Sequence, residues 1–543
     1  MNNIYFQKYT QMIIFYNEHF TSIVITIAAL FAVIIILNKL SIIEKLILYR
    51  FYLSPILVLI ASFSYFYYIS EVSLDNSIMK SALSGIAASI LVLFIDLIRP
   101  NKPIVRFGKL SWNLNDFCRG WSITGRTGSG KTASAIMRIL HQLFINCPKW
   151  GGLTVDEKGN FHEILSSICK YYKYEDKLIT LQVKPEFASP DWKPKYRFNL
   201  LSYPGIPWSA YAKIIVDTAS SLGQESDKSF FKTQAQIHIA KAMEFLEVLN
   251  IPVTLSNIAE LLKSKGSFIE MTKDMTDEQS VHPSAMHFAD NFLDQPEEQQ
   301  GAVTSTIYNY LHFFNEPDLK EIFCSEDSNV KLEDMDNGHI FCISLPQKFQ
   351  VERKYINTFM KFLYYTHALR RFDLPAKKWK KSNLLVFFAD EAQGIVTSTS
   401  TGMEDSRVVD KIREAKATVV FATQSTTSYK GVLKPDNVKV LLLNLSNQIY
   451  YTLADSEAAK LAADILGSKE VVKRNYSYSH GNTSTYTQKK DEPIYKESML
   501  VKLKKFNCII KHCEGNSIKT KLPPVNAKYK RPSYYRWYNR ILG

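Results

Sequence analysis

The chain has 543 residues, of which 46% are hydrophobic and 22% charged, and 66 Lys and Arg against 52 Asp and Glu leave a formal net charge of +14. That length gives room for two or three domains, and the basic balance suits polyanionic partners or an anionic membrane face without choosing between them. Seven cysteines without a zinc-type double pair exclude a zinc ribbon and point to reduced thiols; the nearest thing to a cluster, Cys508, His512 and Cys513, lacks a fourth ligand and reads as structural.

The first hundred residues carry three apolar runs, at 20–37, 51–69 and 81–98. Each approaches the roughly 20 residues that cross a bilayer as a helix. No basic region precedes the first run and no small-residue cleavage site follows it, which argues against a signal peptide. Lys39, Lys45 and Arg50 fill the first loop, whereas the second carries Glu71 and Asp75 with Lys80 at its far end. Retention of basic loops on the cytoplasmic side then predicts a multi-pass anchor over 1–100, with the N-terminus outside and the body in the cytoplasm.

Beyond residue 103 strands and helices alternate, the rhythm of a parallel sheet covered by helices on both faces. The first strand, "WSIT", runs into "GRTGSGKT", Gly125 to Thr132, and then into an apolar-periodic helix. Gly125, Gly128, Gly130, Lys131 and Thr132 fill every fixed position of Gly-x-x-x-x-Gly-Lys-Ser/Thr. In such a loop, Arg126, Thr127 and Ser129 included, backbone N–H groups close around phosphate oxygens, Lys131 reaches the outer phosphates and Thr132 ligates magnesium. The next strand ends in Asp156, Glu157 and Lys158, at the carboxyl edge where ligands of such sheets gather.

Strand signals fade over 205–330, where apolar residues recur at helical spacing, predicting an all-helical insertion that serves as a lid or receives a substrate. They return at "GHIFCISLP" and at "NLLVFFADEAQG", a continuous apolar strand ending in Asp390 and Glu391. Asp390 is placed to hold a water on magnesium, and Glu391 to polarise the water that attacks a γ-phosphate. In "REAKATVVFATQS" a helix end precedes another buried strand. Gln424 at its tip is either a γ-phosphate sensor or a turn residue, and Arg413 either an arginine finger or a solvated helix charge.

Taken in order, these stretches resemble the membrane-bound coupling ATPases of type IV secretion and bacterial conjugation. The resemblance spans most of the chain. It adds "VDEKGN", "YRFNLLSYP", "DKSFF", the run "NQIYYTLADSEAAKLAADILGSKEV" and a Ser-rich loop, "VKRNYSYSHGNTSTYTQ". Leu200 stands where the family has proline, and three membrane helices stand where two are usual. The resemblance implies a RecA-like nucleotide-binding domain over 101–204 and 331–525 with the helical insertion at 205–330; the tail at 526–543 departs from it, being basic and aromatic where some relatives have an acidic one. The resemblance further implies ATP and magnesium held by Lys131, Thr132 and Asp390, Glu391 as catalytic glutamate, Gln424 as sensor and Arg413 as a finger given to a neighbour in a homohexamer at the bacterial inner membrane. The implied partners are secretion-channel components and either DNA, a relaxase-linked single strand, or protein effectors. A chromosome-partition pump is the remaining alternative, but it calls for a C-terminal winged-helix module that the sequence does not show.

Overall fold

The computed structural model describes residues 103–159, 161–222, 229–398, 403–479 and 482–525. The three apolar runs at 20–37, 51–69 and 81–98 and the tail at 526–543 lie outside them. Among the described residues no helix is long and apolar enough to cross a membrane, and the multi-pass inner-membrane assignment is withdrawn on that finding. The longest described helices fail on charge rather than length. Ser229–Val248 carries Lys232, Lys241, Glu244 and Glu247, and Gln350–Arg370 carries Glu352, Arg353, Lys354 and Lys361.

The described residues open with a small hairpin, β1 (Val105–Phe107) and β2 (Leu110–Trp112), and continue through β3 (Trp121–Thr124), α1 (Met137–Asn146), β4 (Gly151–Val155), α2 (Phe161–Tyr172) and β5 (Leu178–Gln182). A helical segment follows, with α3 (Trp208–Ser221), α4 (Ser229–Val248), α5 (Lys265–Thr272) and α6 (Glu297–Leu311) as its longer members. Then come β6 (Ile340–Ser344), α7 (Gln350–Arg370), β7 (Leu385–Ala389), α8 (Asp405–Ile412), β8 (Ala417–Thr423), α9 (Pro435–Asn444), β9 (Asn447–Tyr450) and α10 (Ser456–Leu466). The last described strands are β10 (Ser468–Ser479), β11 (Asn482–Pro493), β12 (Asn507–Lys511) and β13 (Ser517–Lys521).

Nine strands form one sheet in the order β13-β12-β9-β3-β8-β7-β4-β6-β5. The seven from β9 to β5 are parallel, and β12 and β13 extend the edge antiparallel. The fold is thus mixed α/β with a large, mainly parallel sheet. Its central strands are buried at every position, Leu385–Ala389 and Ala417–Thr423 among them, because helices cover both faces; this is why they read as unbroken apolar runs.

Between β5 and β6 the described residues hold no strand. The helical segment shares its core with the sheet: Tyr211, Met243 and Phe314 belong to the same buried cluster as Leu181, Phe341 and Phe387. The "RFNLL" stretch ties the two together. Asn199 donates through Nδ2 to the Val253 carbonyl at 2.8 Å, and the Leu200 N–H donates to the Phe323 carbonyl at 3.1 Å. A proline at position 200 has no N–H to make the second bond, which accounts for the departure from the family pattern.

The Ser-rich stretch expected as a loop is a ribbon. β10 and β11 pair antiparallel over their full length, from Ser468 opposite Pro493 to Ser479 opposite Asn482. Its Val, Thr and Tyr residues favour extended backbone, but the absence of an apolar alternation hid the strands from a periodicity reading.

Candidate functional site: a phosphate loop facing two acids

The phosphate loop leaves β3 at Thr124 and enters a helical turn at Lys131 that runs on into α1. It is stitched to its neighbours through the backbone, the Gly125 N–H donating to Thr423 (3.2 Å) and the Arg126 N–H to Thr452 (2.8 Å). A Cβ on Gly125 would fall 2.5 Å from the Tyr451 Cβ and 2.9 Å from the Ser129 Oγ, so only glycine fits. Gly130 takes φ +113, and a Cβ there would meet the Phe506 ring at 2.5 Å. Lys131 is buried and donates through Nζ to the Gly125 carbonyl at 2.7 Å. Burial pushes its pKa down, while Glu391 and Asp390 pull it back up.

The acids come from β7. The sheet brings the tip of that strand beside the loop, so that Thr132 Oγ1 donates to Asp390 Oδ2 at 2.7 Å across 258 positions of sequence. The Asp390 N–H is anchored on the Val155 carbonyl at 3.1 Å. Its carboxyl is raised by burial; the Thr132 hydrogen bond opposes this, the Glu391 charge adds to it and the Lys131 charge opposes it. Glu391 takes a left-handed backbone, φ 58 and ψ 50, a conformation costly for a residue with a Cβ and concentrated at functional sites. Its carboxylate accepts from Gln393 Nε2 at 2.8 Å and from Gln424 Nε2 at 3.2 Å.

Gln424 reaches Glu391 because β8 lies between β3 and β7, presenting its tip between the phosphate loop and the acidic strand. The structure therefore brings Lys131, Thr132, Asp390, Glu391 and Gln424 together. Arg413 is not among them: it follows α8, ahead of the opposite end of β8, 39% exposed and 3.9 Å from Asp410. Asp156, Glu157 and Lys158 line a recess of about 530 Å³ that also reaches Asp390, Glu391 and Gln424, with Arg353 and Asn357 in its lining.

Sequence reasoning missed Gln393. Its amide holds Glu391, and its oxygen accepts from Thr423 Oγ1 at 2.8 Å, bridging β7 and β8. It lies inside the quoted "DEAQ", but only the left-handed turn at Glu391 folds it back. Behind this turn, Lys361 and Asp405 form an ion pair of 2.7 Å with both side chains fully buried. Lys361 Nζ also donates to the Ile395 carbonyl (2.6 Å) and to Thr397 Oγ1 (3.0 Å), fixing the segment that follows the acids.

The donor set fits a nucleoside triphosphate with magnesium. Ser129 Oγ is buried at the loop without a hydrogen-bond partner among the described residues, Lys131 supplies a cation, and the adjacent Thr132 hydroxyl and Asp390 carboxylate are hard oxygen ligands.

The family described as Type IV secretory system Conjugative DNA transfer matches residues 92–502. Among solved structures, the unbound bacterial conjugative coupling protein TrwBdeltaN70 is similar at 15% identity, covering 80% of this chain and 92% of its own, with a TM-score of 0.60. The plasmid coupling protein TrwB in complex with the ATP analogue ADPNP, and the same protein with ADP and Mg²⁺, are each similar at 13% identity over 80% of this chain and 93% of theirs, with TM-scores of 0.57. No curated protein matches the chain. At these identities the solved structures establish a shared fold, and the family match over three quarters of the sequence carries the assignment: the chain belongs to the type IV secretory system conjugative DNA transfer family.

Proposed function

We propose that this protein is an ATP-hydrolysing coupling motor that engages DNA, a relaxase-linked single strand, and delivers it to a type IV secretion channel as a ring of six copies. The observation that carries the reading is the meeting of Thr132, Asp390, Glu391 and Gln424 at the carboxyl ends of β3, β7 and β8, in a chain of a DNA-transfer family whose structural neighbours include complexes with an ATP analogue and with ADP and Mg²⁺.

The phosphate loop binds the triphosphate through its backbone N–H groups, and the buried Lys131 ammonium neutralises the outer phosphates. Thr132 and Asp390 would hold magnesium, which when bound would screen the phosphate charge. Glu391 accepts the proton of the attacking water, and its two amide contacts orient it for that role. Gln424 donates either to Glu391 or to a γ-phosphate, so its exchange between the two reports which nucleotide is present. Arg413, outside its own site, is available to a neighbour in the ring as a finger.

Lys131→Ala should cut ATP hydrolysis by at least about 100-fold, and single-stranded DNA should accelerate the parent protein. A Lys131→Ala variant as active as the parent would sink the assignment. Mixing Arg413→Ala with Lys131→Ala protein tests the ring: if the finger acts between subunits, the mixture regains part of the activity that neither variant has alone. Protein effectors are the second candidate cargo, and crosslinking in cells that traps polypeptide in place of DNA would select them.

A further inference from the structure

The segment joining β11 to β12, together with β13, is strongly basic. Residues 494–525 hold seven lysines against Glu497 and Glu514. Four of the lysines, Lys496, Lys502, Lys504 and Lys519, converge on one recess of about 500 Å³ with Ser498 and Asn507, and no acidic side chain lines it. Some surface lysines find carboxylates, as Lys348 does with Asp318 and Lys273 with Glu270. Here none of the four forms an ion pair among the described residues. Glu492, the carboxylate whose charge Lys496 influences, is paired with Lys473. Four like charges around one concavity repel one another, and an anion relieves that repulsion.

The recess is fastened to the phosphate loop by three short links. The Leu503 carbonyl accepts from Thr452 Oγ1 at 2.6 Å, and the Thr452 carbonyl accepts the Arg126 N–H at 2.8 Å. The Phe506 N–H donates to the Ser129 carbonyl at 3.0 Å, with its ring against Gly130. Lys502 and Lys504 flank the first of these anchors. Phe506 takes φ 66, so the backbone that carries the lysines is bent sharply where it meets the loop.

We infer that this lysine recess, held against the phosphate loop by the Leu503 and Phe506 anchors, binds the phosphodiester backbone of single-stranded nucleic acid. The inference rests on the DNA reading above. Ammonium groups neutralise phosphates without reading bases, and Ser498 and Asn507 supply neutral donors, a set suited to a motor that must accept any sequence.

The test measures binding of a labelled oligo(dT) strand to the full chain over a range of salt. Lys504→Gln/Lys519→Gln should weaken binding at least about 10-fold and flatten the salt dependence by a slope of about 1.4, at roughly 0.7 per lost single-strand phosphate contact. Lys504→Arg/Lys519→Arg should bind like the parent. Lys377→Gln/Lys378→Gln, exposed lysines on the helix Ala376–Trp379 that precedes β7, should leave affinity and slope unchanged. Unchanged affinity and slope in the Lys504/Lys519 glutamine variant overturn the recess alone. An equal loss in the Lys377/Lys378 variant, or a loss confined to poly-glutamate or to anionic vesicles, also overturns it. Failure of the parent to bind the strand at all overturns the DNA reading with it.

Discussion

Replacing Lys361 by methionine keeps the length of the side chain and removes its charge from a site with no access to water. Lys361 and Asp405 are both fully buried, and the ammonium makes three hydrogen bonds, to Asp405 Oδ2, Thr397 Oγ1 and the Ile395 carbonyl. Removing one partner of a buried pair costs about 3–5 kcal/mol, because the other charge is left uncompensated. Asp405 keeps three donors, the Tyr365 hydroxyl at 2.6 Å, the Thr397 N–H at 2.7 Å and the Thr397 hydroxyl at 3.1 Å. Those donors place the expected loss at the lower end, about 3 kcal/mol, or roughly 150-fold in the unfolding equilibrium. Urea unfolding followed by tryptophan fluorescence reads this directly, with Trp112, Trp121 and Trp150 all buried. Lys361→Met/Asp405→Asn should recover most of the loss, since no unpaired charge remains. A single variant within about 1 kcal/mol of the parent, or a double variant no better than the single, would refute the account.

Glu391→Gln should bind ATP with little change in KM while kcat falls about 10²- to 10⁴-fold, the mark of a lost proton acceptor; a proportionate rise in KM would point to a binding role. Gly125→Ala should weaken nucleotide binding at least about 10-fold by fluorescence titration, because its Cβ collides with the Tyr451 Cβ and the Ser129 Oγ; unaltered affinity would show that the loop yields. Burial, with a smaller push from His287, lowers the His238 imidazole to about 4 from an ordinary 6.5. The folded state therefore favours the neutral ring, whose contribution to stability is complete above about pH 6.5 and is lost as pH falls toward 4. The unfolding temperature should fall across that window in the parent and fall less in His238→Phe, and parallel curves for the two would contradict the assignment.

What the sequence made legible was what local patterns encode. The phosphate loop and the acidic strand are contiguous, and their chemistry is written in neighbouring residues. Their meeting was inferable because parallel strands deliver their carboxyl ends to one edge. Gln393 was hidden because its contact depends on one left-handed residue, a conformation that a glutamate does not advertise. The β10–β11 ribbon was hidden because Ser, Thr and Tyr alternate without an apolar face. Leu200 shows the reverse case: a departure from the family pattern is explained once Phe323 is seen accepting its N–H. Arg413, expected as a finger for a neighbouring copy, lies at the opposite end of β8 from Gln424 and outside its own site, because a strand separates sequence neighbours by its full length.

That strand has seven buried residues, paired in parallel with β7 over Ala417–Phe421 and with β3 over Val420–Thr423, and extends about 23 Å at 3.3 Å per residue. A strand held in this way cannot bend to absorb a displacement at its tip; it passes the displacement to its other end. In the proposed ring, β8 then links each copy's own nucleotide site to the end of the sheet from which Arg413 is offered to the next copy. Loosening the strand's packing should then leave single-site hydrolysis in place while erasing cooperativity between sites.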